Sequence, residues 1–157
     1  MHAILSHSAS ADEKDYLNLR YKFCTIVQMK IIADTNIFLA VVLEEPEKGR
    51  IIQLTAGHEL AAPEILPYEI GNALTALVKR KVLNAVEVNL AWKAAQSIPV
   101  QLCAVDIGAT LRVALDAGMY AYDAYFLECA FRMRCPLLTL DRRMVAVAKK
   151  IGIQIME

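Results

Sequence analysis

From Met29 to the end of the chain, short apolar runs alternate with amphipathic segments of helical length, and this alternation limits the fold more than any other feature. Apolar runs of this length, bounded by turn residues, are typical of buried strands, and strands that alternate with helices form parallel sheets. Strands are predicted at 30–33, 60–62, 100–105, 137–140 and 153–155. Helices are predicted at 36–43, 46–56, 63–81, 84–97, 106–118, 122–134 and 142–150, with Asp106 as a cap and Gly118 as a stop. The pattern therefore predicts an α/β domain with a mostly parallel sheet.

The first 28 residues do not share this pattern, because they are polar and show no clear periodicity. A chain of 157 residues has the usual size of a single domain. We therefore expect one domain at 29–157, preceded by an N-terminal extension at 1–28. Met29 is an alternative start of the protein.

Composition excludes some classes of protein. The 17 basic and 17 acidic residues cancel, so RNA contact would need a local patch rather than a global positive field. The longest apolar stretch, 31–43, is broken by Asp34, Thr35 and Asn36, and no basic, apolar leader opens the chain. We expect a cytoplasmic protein without a membrane segment. Hydrophobic residues make up 57% of the chain, which favours a protein partner for the apolar surface left over.

Cysteine and histidine carry no recognisable site. The four cysteines, at 24, 103, 129 and 135, form no CxxC pair, so we expect reduced thiols rather than zinc or disulfides. The three histidines lie at 2, 7 and 58, away from the segments considered below, which argues against a histidine-based mechanism.

Four acidic residues lie where predicted strands end or helices begin. Asp34 and Asp141 directly follow strands, Glu69 lies in the first turns of the long helix, and Asp123 opens a later helix. The carboxyl ends of parallel strands share one edge of the sheet, so these side chains can converge. Carboxylates suit Mg²⁺ or Mn²⁺, which promote phosphodiester hydrolysis. Crowding of like charges should raise the pKa of at least one of the four.

Helix capping is the alternative role for three of these acids. Asp34, followed by Thr35 and Asn36, fits an N-cap as well as a metal ligand. Asp123 and Asp141 gain from the helix dipole in the same way. Glu69, in an otherwise apolar stretch, is harder to explain as a solvated side chain.

Four segments together resemble PIN domains. The first acid lies in Met-Lys-Ile-Ile-Ala-Asp-Thr-Asn-Ile at 29–37, which resembles the opening strand of that family. The second and third acids lie in Glu-Ile-Gly-Asn-Ala-Leu at 69–74 and Tyr-Asp-Ala-Tyr-Phe-Leu at 122–127. The fourth lies in Cys-Pro-Leu-Leu-Thr-Leu-Asp-Arg-Arg-Met at 135–144. The small size resembles VapC toxins most.

This resemblance implies a three-layer α/β/α domain that cleaves RNA in an acidic pocket holding Mg²⁺ or Mn²⁺. It further implies a toxin of a VapBC-type pair, with a cognate antitoxin and a homodimer as partners. The resemblance makes Asp34, Glu69 and Asp123 the firmest ligands, and Asp141 a less firm fourth one, because the fourth position varies in the family. The expected supporting contacts are Thr35 and Asn36 to the first acid, Asn72 on the Glu69 helix face, and Thr139 to Asp141.

The basic and aromatic residues of these segments have functional or structural interpretations. Arg142 and Arg143, beside Asp141, are candidates for gripping an RNA phosphate. The basic residues at 79–81 and 149–150 fit solvated helix ends. Tyr120, Tyr122, Tyr125 and Phe126 are expected mostly in the core, with base stacking as the alternative, and Trp92 in the core or a dimer interface.

Two rival functions remain to be weighed. Asp34 also resembles the nucleophile of haloacid-dehalogenase-type phosphatases, but those enzymes need a second aspartate where Asn36 stands. A non-catalytic PIN-like module that binds RNA or protein is the stronger alternative. The target remains open among transfer, ribosomal and messenger RNA, since the acids carry no sequence preference.

Overall fold

A computed structural model describes residues 28–157. Almost all of the predicted extension, with Cys24 and two of the histidines, lies outside the described residues. The strands are β1 (Lys30–Ala33), β2 (Glu59–Pro63), β3 (Gln101–Cys103) and β4 (Leu137–Leu138). The helices are α1 (Thr35–Val42), α2 (Lys48–Thr55), α3 (Leu66–Lys79), α4 (Ala85–Ser97), α5 (Ile107–Ala117), α6 (Ala121–Met133) and α7 (Arg142–Lys150).

The four strands form one parallel sheet in the order β3-β2-β1-β4. In the register, Ile31 of β1 pairs with Leu60 of β2, and Ile32 pairs with Leu137 of β4. Because all strands run the same way, their carboxyl ends lie along one edge, and the segments carrying Asp34 and Asp141 leave the sheet there. The predicted α/β class with a parallel sheet is confirmed.

The apolar sequence of β1 explains the position of this strand inside the sheet. Ile31, Ile32 and Ala33 are completely buried, as expected of a strand covered on both faces. Helix α6 packs against β1 and β2 through a largely buried surface that includes Phe126 and Leu127. The helix that presents Asp123 is therefore fixed to the centre of the sheet.

Several predicted elements differ from the structure, and the strands predicted at 100–105 and 137–140 are shorter, at Gln101–Cys103 and Leu137–Leu138. Pro63 is the last residue of β2, paired with Cys103, and not part of the following helix. A proline is tolerated there because the next residue, Glu64, donates its N–H to the Cys103 carbonyl at 2.9 Å. The predicted strand at 153–155 shrinks to a single parallel bridge between Leu137 and Ile155.

Predicted helix ends agree closely with the structure. Asn84 caps α4 in a capping box with Glu87, and Asp106 caps α5 by accepting the Ala109 N–H. Gly118 ends α5 with φ of 60°, the left-handed conformation that glycine adopts without strain. Within 28–157, no helix is both long and apolar enough to cross a membrane.

Candidate functional site

A cleft of about 530 Å³ opens where β1 and β4 end, between the first turns of α1, α3, α6 and α7. All four predicted acids line it. Its other lining side chains are those of Thr35, Asn36, Leu39, Ile65, Tyr68, Asn72, Ala73, Tyr122 and Met144. The fold thus brings together acids that are up to 107 positions apart in the chain, from Asp34 to Asp141.

Asp34 is both a helix cap and part of the cleft. Its Oδ1 accepts the Thr35 N–H at 2.6 Å, which caps α1. Its Oδ2 accepts the hydroxyl of Thr139 at 2.7 Å and the side-chain amide of Asn36. The carboxylate is 6% exposed. The capping role therefore does not compete with a role in the cleft, and every donor to Asp34 is a neutral group.

Glu69 is held by Thr35, which makes this contact in addition to the expected one with Asp34. The Thr35 hydroxyl donates to Glu69 Oε2, whereas only the Thr35 backbone N–H bonds to Asp34. Thr35 therefore connects the first two acids. Asn72 lies one turn after Glu69 on α3 and also lines the cleft, as the spacing predicts.

Thr139 plays a wider part than the expected support of Asp141. Its hydroxyl donates to Asp34 and accepts the Asp141 N–H at 3.0 Å and the Asn36 amide at 3.2 Å. One donor and two lone pairs are all that a hydroxyl offers, so this group is fully used. Thr139 therefore holds the first acid and the backbone of the fourth in a fixed relation.

Asp141 and Asp123 differ in how they begin their helices. Asp141 caps α7, because its Oδ1 accepts the N–H groups of Arg143 at 2.6 Å and Met144 at 3.0 Å. Asp123 lies in the first turn of α6, whose cap position is Tyr120 and has no side-chain capping bond. Asp123 therefore makes no capping bond, but its place in the first turn agrees with the expected gain from the helix dipole.

Burial, more than crowding, sets the electrostatics of the cleft. Burial raises the pKa of Asp34 to about 6 against the bonds from Thr139 and Thr35, and the charges of Asp123 and Asp141 add to the rise. Burial likewise raises the pKa of Glu69 to about 7, opposed by the Thr35 bond and assisted by Asp34 and Asp123. The pKa of Asp123 is raised by burial and by Asp141, with Arg143 opposing. The pKa of an acid in the cleft is raised, as expected. Desolvation contributes more to this rise than repulsion between the carboxylates does.

The two predicted RNA-contacting arginines lie outside this cleft. The Arg143 guanidinium donates to the Gly118 carbonyl, at the turn that leads into α6. Arg142 lines a different cleft together with Glu47 and Arg50. In the described part of the chain, no lysine or arginine lines the acidic cleft.

Two tyrosines lie on the rim of the cleft, of which Tyr68 was not considered in the sequence analysis and Tyr122 had base stacking only as its alternative role. Tyr68 and Tyr122 line the cleft and are 74% and 57% exposed. The expectation of a mostly buried aromatic cluster is wrong for Tyr120 and Tyr122, although Phe126 is buried. A usable signal existed, since Tyr68 and Tyr122 each directly precede a cleft acid in the first turn of a helix.

The chemistry of these donors fits a hard cation, with a limit on how it would be held. The donor atoms facing the cleft are oxygens of carboxylates, hydroxyls and amides, which Mg²⁺ and Mn²⁺ prefer. Within residues 28–157, no three His, Cys, Asp or Glu side chains converge closely enough to hold an ion together. The cleft therefore suits an ion that keeps several water ligands, as Mg²⁺ usually does, and does not form a closed protein cage.

Comparison with known proteins identifies the class. Residues 31–150 match the family model described as PIN domain. The chain is 30% identical over 115 residues to VapC ribonuclease Mb0985 of Mycobacterium bovis and to Ribonuclease VapC9 of Mycobacterium tuberculosis. Each match covers 73% of this chain and 87% of the relative. The protein belongs to the PIN-domain family, and the predicted resemblance to VapC ribonucleases is confirmed.

Solved structures agree on the fold. PAE2754 from Pyrobaculum aerophilum is similar with a TM-score of 0.62 at 22% identity, covering 82% of this chain and 84% of that one. VapBC2 from Rickettsia felis, bound to a DNA fragment from its promoter, is similar with a TM-score of 0.56 at 16% identity. That match covers 82% of this chain and 98% of the other. At these identities the similarity supports the fold alone.

Proposed function

We propose that this protein is a metal-dependent endoribonuclease that hydrolyses RNA phosphodiester bonds in the cytoplasm, as the toxin of a VapBC-type pair. The single observation that carries the proposal is the meeting of Asp34, Glu69, Asp123 and Asp141 in one cleft. The 30% identity to VapC ribonucleases over most of their length supports the choice of RNA as the substrate.

In this proposal the four carboxylates hold Mg²⁺ or Mn²⁺, directly or through water. Such an ion, when bound, lowers the pKa of a coordinated water and neutralises charge on the phosphate. The chain's own part is to fix its donors: Thr139 and Asn36 hold Asp34, while Thr35 holds Glu69. Burial makes the ionised carboxylates unfavourable without a partner. A bound cation therefore stabilises them more than it would stabilise carboxylates in a solvated site.

A cognate antitoxin and a second copy of the chain are the proposed protein partners. The solved Rickettsia felis neighbour is a VapBC complex, which makes an antitoxin a reasonable expectation. Large apolar side chains remain exposed on this protein, with Val86 and Leu90 on α4 and Leu111 and Leu115 on α5. Apolar surface of this kind is typical of protein interfaces. No membrane association is proposed.

The proposal is tested by incubating the purified protein with structured and unstructured RNAs in Mn²⁺ or Mg²⁺. We expect internal cleavage that stops when EDTA is added and resumes with excess metal. Binding of the same RNAs without cleavage under any metal condition would instead support the non-catalytic PIN-like module.

A further inference from the structure

Two tyrosines flank the acidic cleft from separate helices. Tyr68 lies in the first turn of α3 directly before Glu69, and Tyr122 lies in the first turn of α6 directly before Asp123. Both residues line the cleft, and both are exposed to solvent. Large aromatic rings that remain exposed beside a polar cleft lose no packing when a planar ligand covers them.

The negative charge of the cleft limits the contacts that can attract a nucleic acid to it. Four carboxylates line it, and no lysine or arginine does so in the described part of the chain. The charge of Arg143 acts on Asp123 from outside the cleft, where its guanidinium is bonded to the Gly118 carbonyl. A nucleic acid therefore meets repulsion at this site, where many RNA-binding grooves offer basic side chains. Attraction must come from uncharged contacts or from a cation that arrives with the substrate.

One of the rings is already held in place. Tyr122 and Tyr125 pack edge to face, with ring centroids 6.2 Å apart and an interplanar angle of 83°. Tyr125 is half-buried on α6, so this contact limits the positions that Tyr122 can take. A ring with restricted freedom loses less entropy when a ligand stacks on it.

We propose that Tyr68 and Tyr122 are stacking surfaces for unpaired RNA bases beside the phosphate that is cut, which rests on the proposed nuclease function. Aromatic stacking is insensitive to charge and tolerates any base, so it supplies affinity where no basic side chain lines the cleft. A base must leave its helix to stack on a protein ring.

The test compares leucine and phenylalanine variants on an unstructured RNA oligonucleotide in Mn²⁺. We expect Tyr68→Leu and Tyr122→Leu each to raise KM roughly tenfold, as expected for the loss of one stacked base, with little change in kcat. Tyr68→Phe and Tyr122→Phe keep the ring and should stay close to the parent. Tyr120→Leu is the matched control, because Tyr120 is 80% exposed but does not line the cleft.

A second measurement separates stacking from a merely structural role. Single abasic residues are placed through the oligonucleotide, and we expect the one opposite each ring to slow the parent but not the corresponding leucine variant. Equal penalties in parent and variant at every position, or leucine variants that match Tyr120→Leu, would overturn the stacking role. If the parent itself cleaves no RNA in Mn²⁺, the failure belongs to the proposed function.

Discussion

Asp34 and Glu128 are both buried carboxylates, yet they lie in opposite electrostatic surroundings. Glu128, on α6, is 4% exposed and faces Arg132 one turn later, whose Nε donates to it at 2.8 Å. Arg132 also donates to the Ala104 carbonyl at 2.7 Å, which holds its guanidinium in place. Asp34 is equally buried, but its donors Thr35, Asn36 and Thr139 are all uncharged.

This difference separates a carboxylate that is paired with a charged side chain from one that has only uncharged donors. Buried charges in proteins are normally paired with an opposite charge or bound to a metal. Glu128 has a cationic partner in the same helix at i+4, which bonds to its Oε1, while its Oε2 is buried without a hydrogen-bond partner among the described residues. Asp34 keeps a raised pKa, because neutral donors offset only part of its desolvation. The predictions below test whether that imbalance is the basis of the function.

The largest expected effect is on cleavage. Asp34→Asn, Glu69→Gln and Asp123→Asn should each lower Mn²⁺-dependent RNA cleavage by at least about 100-fold, since each removes a charge meant for the ion. Asp141→Asn should cost less, because asparagine caps a helix as well as aspartate. Initial rates on a defined RNA, corrected for folded fraction, measure this. A loss of activity in Glu128→Gln as large as that in Asp34→Asn would contradict the distinction between the two carboxylates.

The next effect is on stability and concerns Glu128. Arg132→Ala leaves a buried carboxylate without its cation, which we expect to lower the free energy of unfolding by about 2 kcal/mol. A fully buried pair would cost more, but the Arg132 side chain is 45% exposed. Urea unfolding measures the loss, and Arg112→Ala, exposed on α5, is the control. Equal stability of the two variants would show that Glu128 does not depend on its partner.

A smaller effect depends on pH and concerns Glu69. Its pKa rises from 4.5 to about 7 on folding, so ionisation costs nothing below pH 4.5 and its full amount above pH 7. In EDTA, Glu69→Gln should therefore match the parent at pH 4 and be more stable at pH 8. After a discount for partial exposure, the gain is about 1.5 kcal/mol.

Thermal melts across this pH range measure that difference. Glutamine is the cleaner replacement here, because its carbonyl can still accept the Thr35 hydroxyl. A constant difference between variant and parent at pH 4 and pH 8 would refute the raised pKa of Glu69.

The sequence predicted those parts of the fold that depend on local patterns. The strand at 30–33 was predicted to the residue, because a strand buried on both faces is a continuous apolar run. The helix start at Asn84, the cap at Asp106 and the stop at Gly118 follow from residues that act within one turn. Pro63 was misassigned because its register with Cys103 links distant segments.

The site was predicted in its acids and less well in its contacts. Four carboxylates at strand ends and helix starts are visible in the sequence, and so is their order along the chain. The partner of the Thr35 hydroxyl lies 34 positions away, and that of the Arg143 guanidinium 25 positions away. Spacing carries no information about such pairs, so the bonds from the Thr35 hydroxyl to Glu69 and from Arg143 to Gly118 were not predicted.

The most direct test of the account is a thermal melt of the parent and two asparagine variants, Asp34→Asn and Asp106→Asn, in EDTA and in Mn²⁺. Both aspartates cap helices, but Asp106 caps α5 and does not line the cleft. At Mn²⁺ about tenfold above its dissociation constant, we expect the parent and Asp106→Asn to gain about 1.4 kcal/mol, or roughly 3–6 °C in Tm. Asp34→Asn should gain much less. An equal gain in all three proteins would mean that Asp34 is a helix cap and no metal ligand.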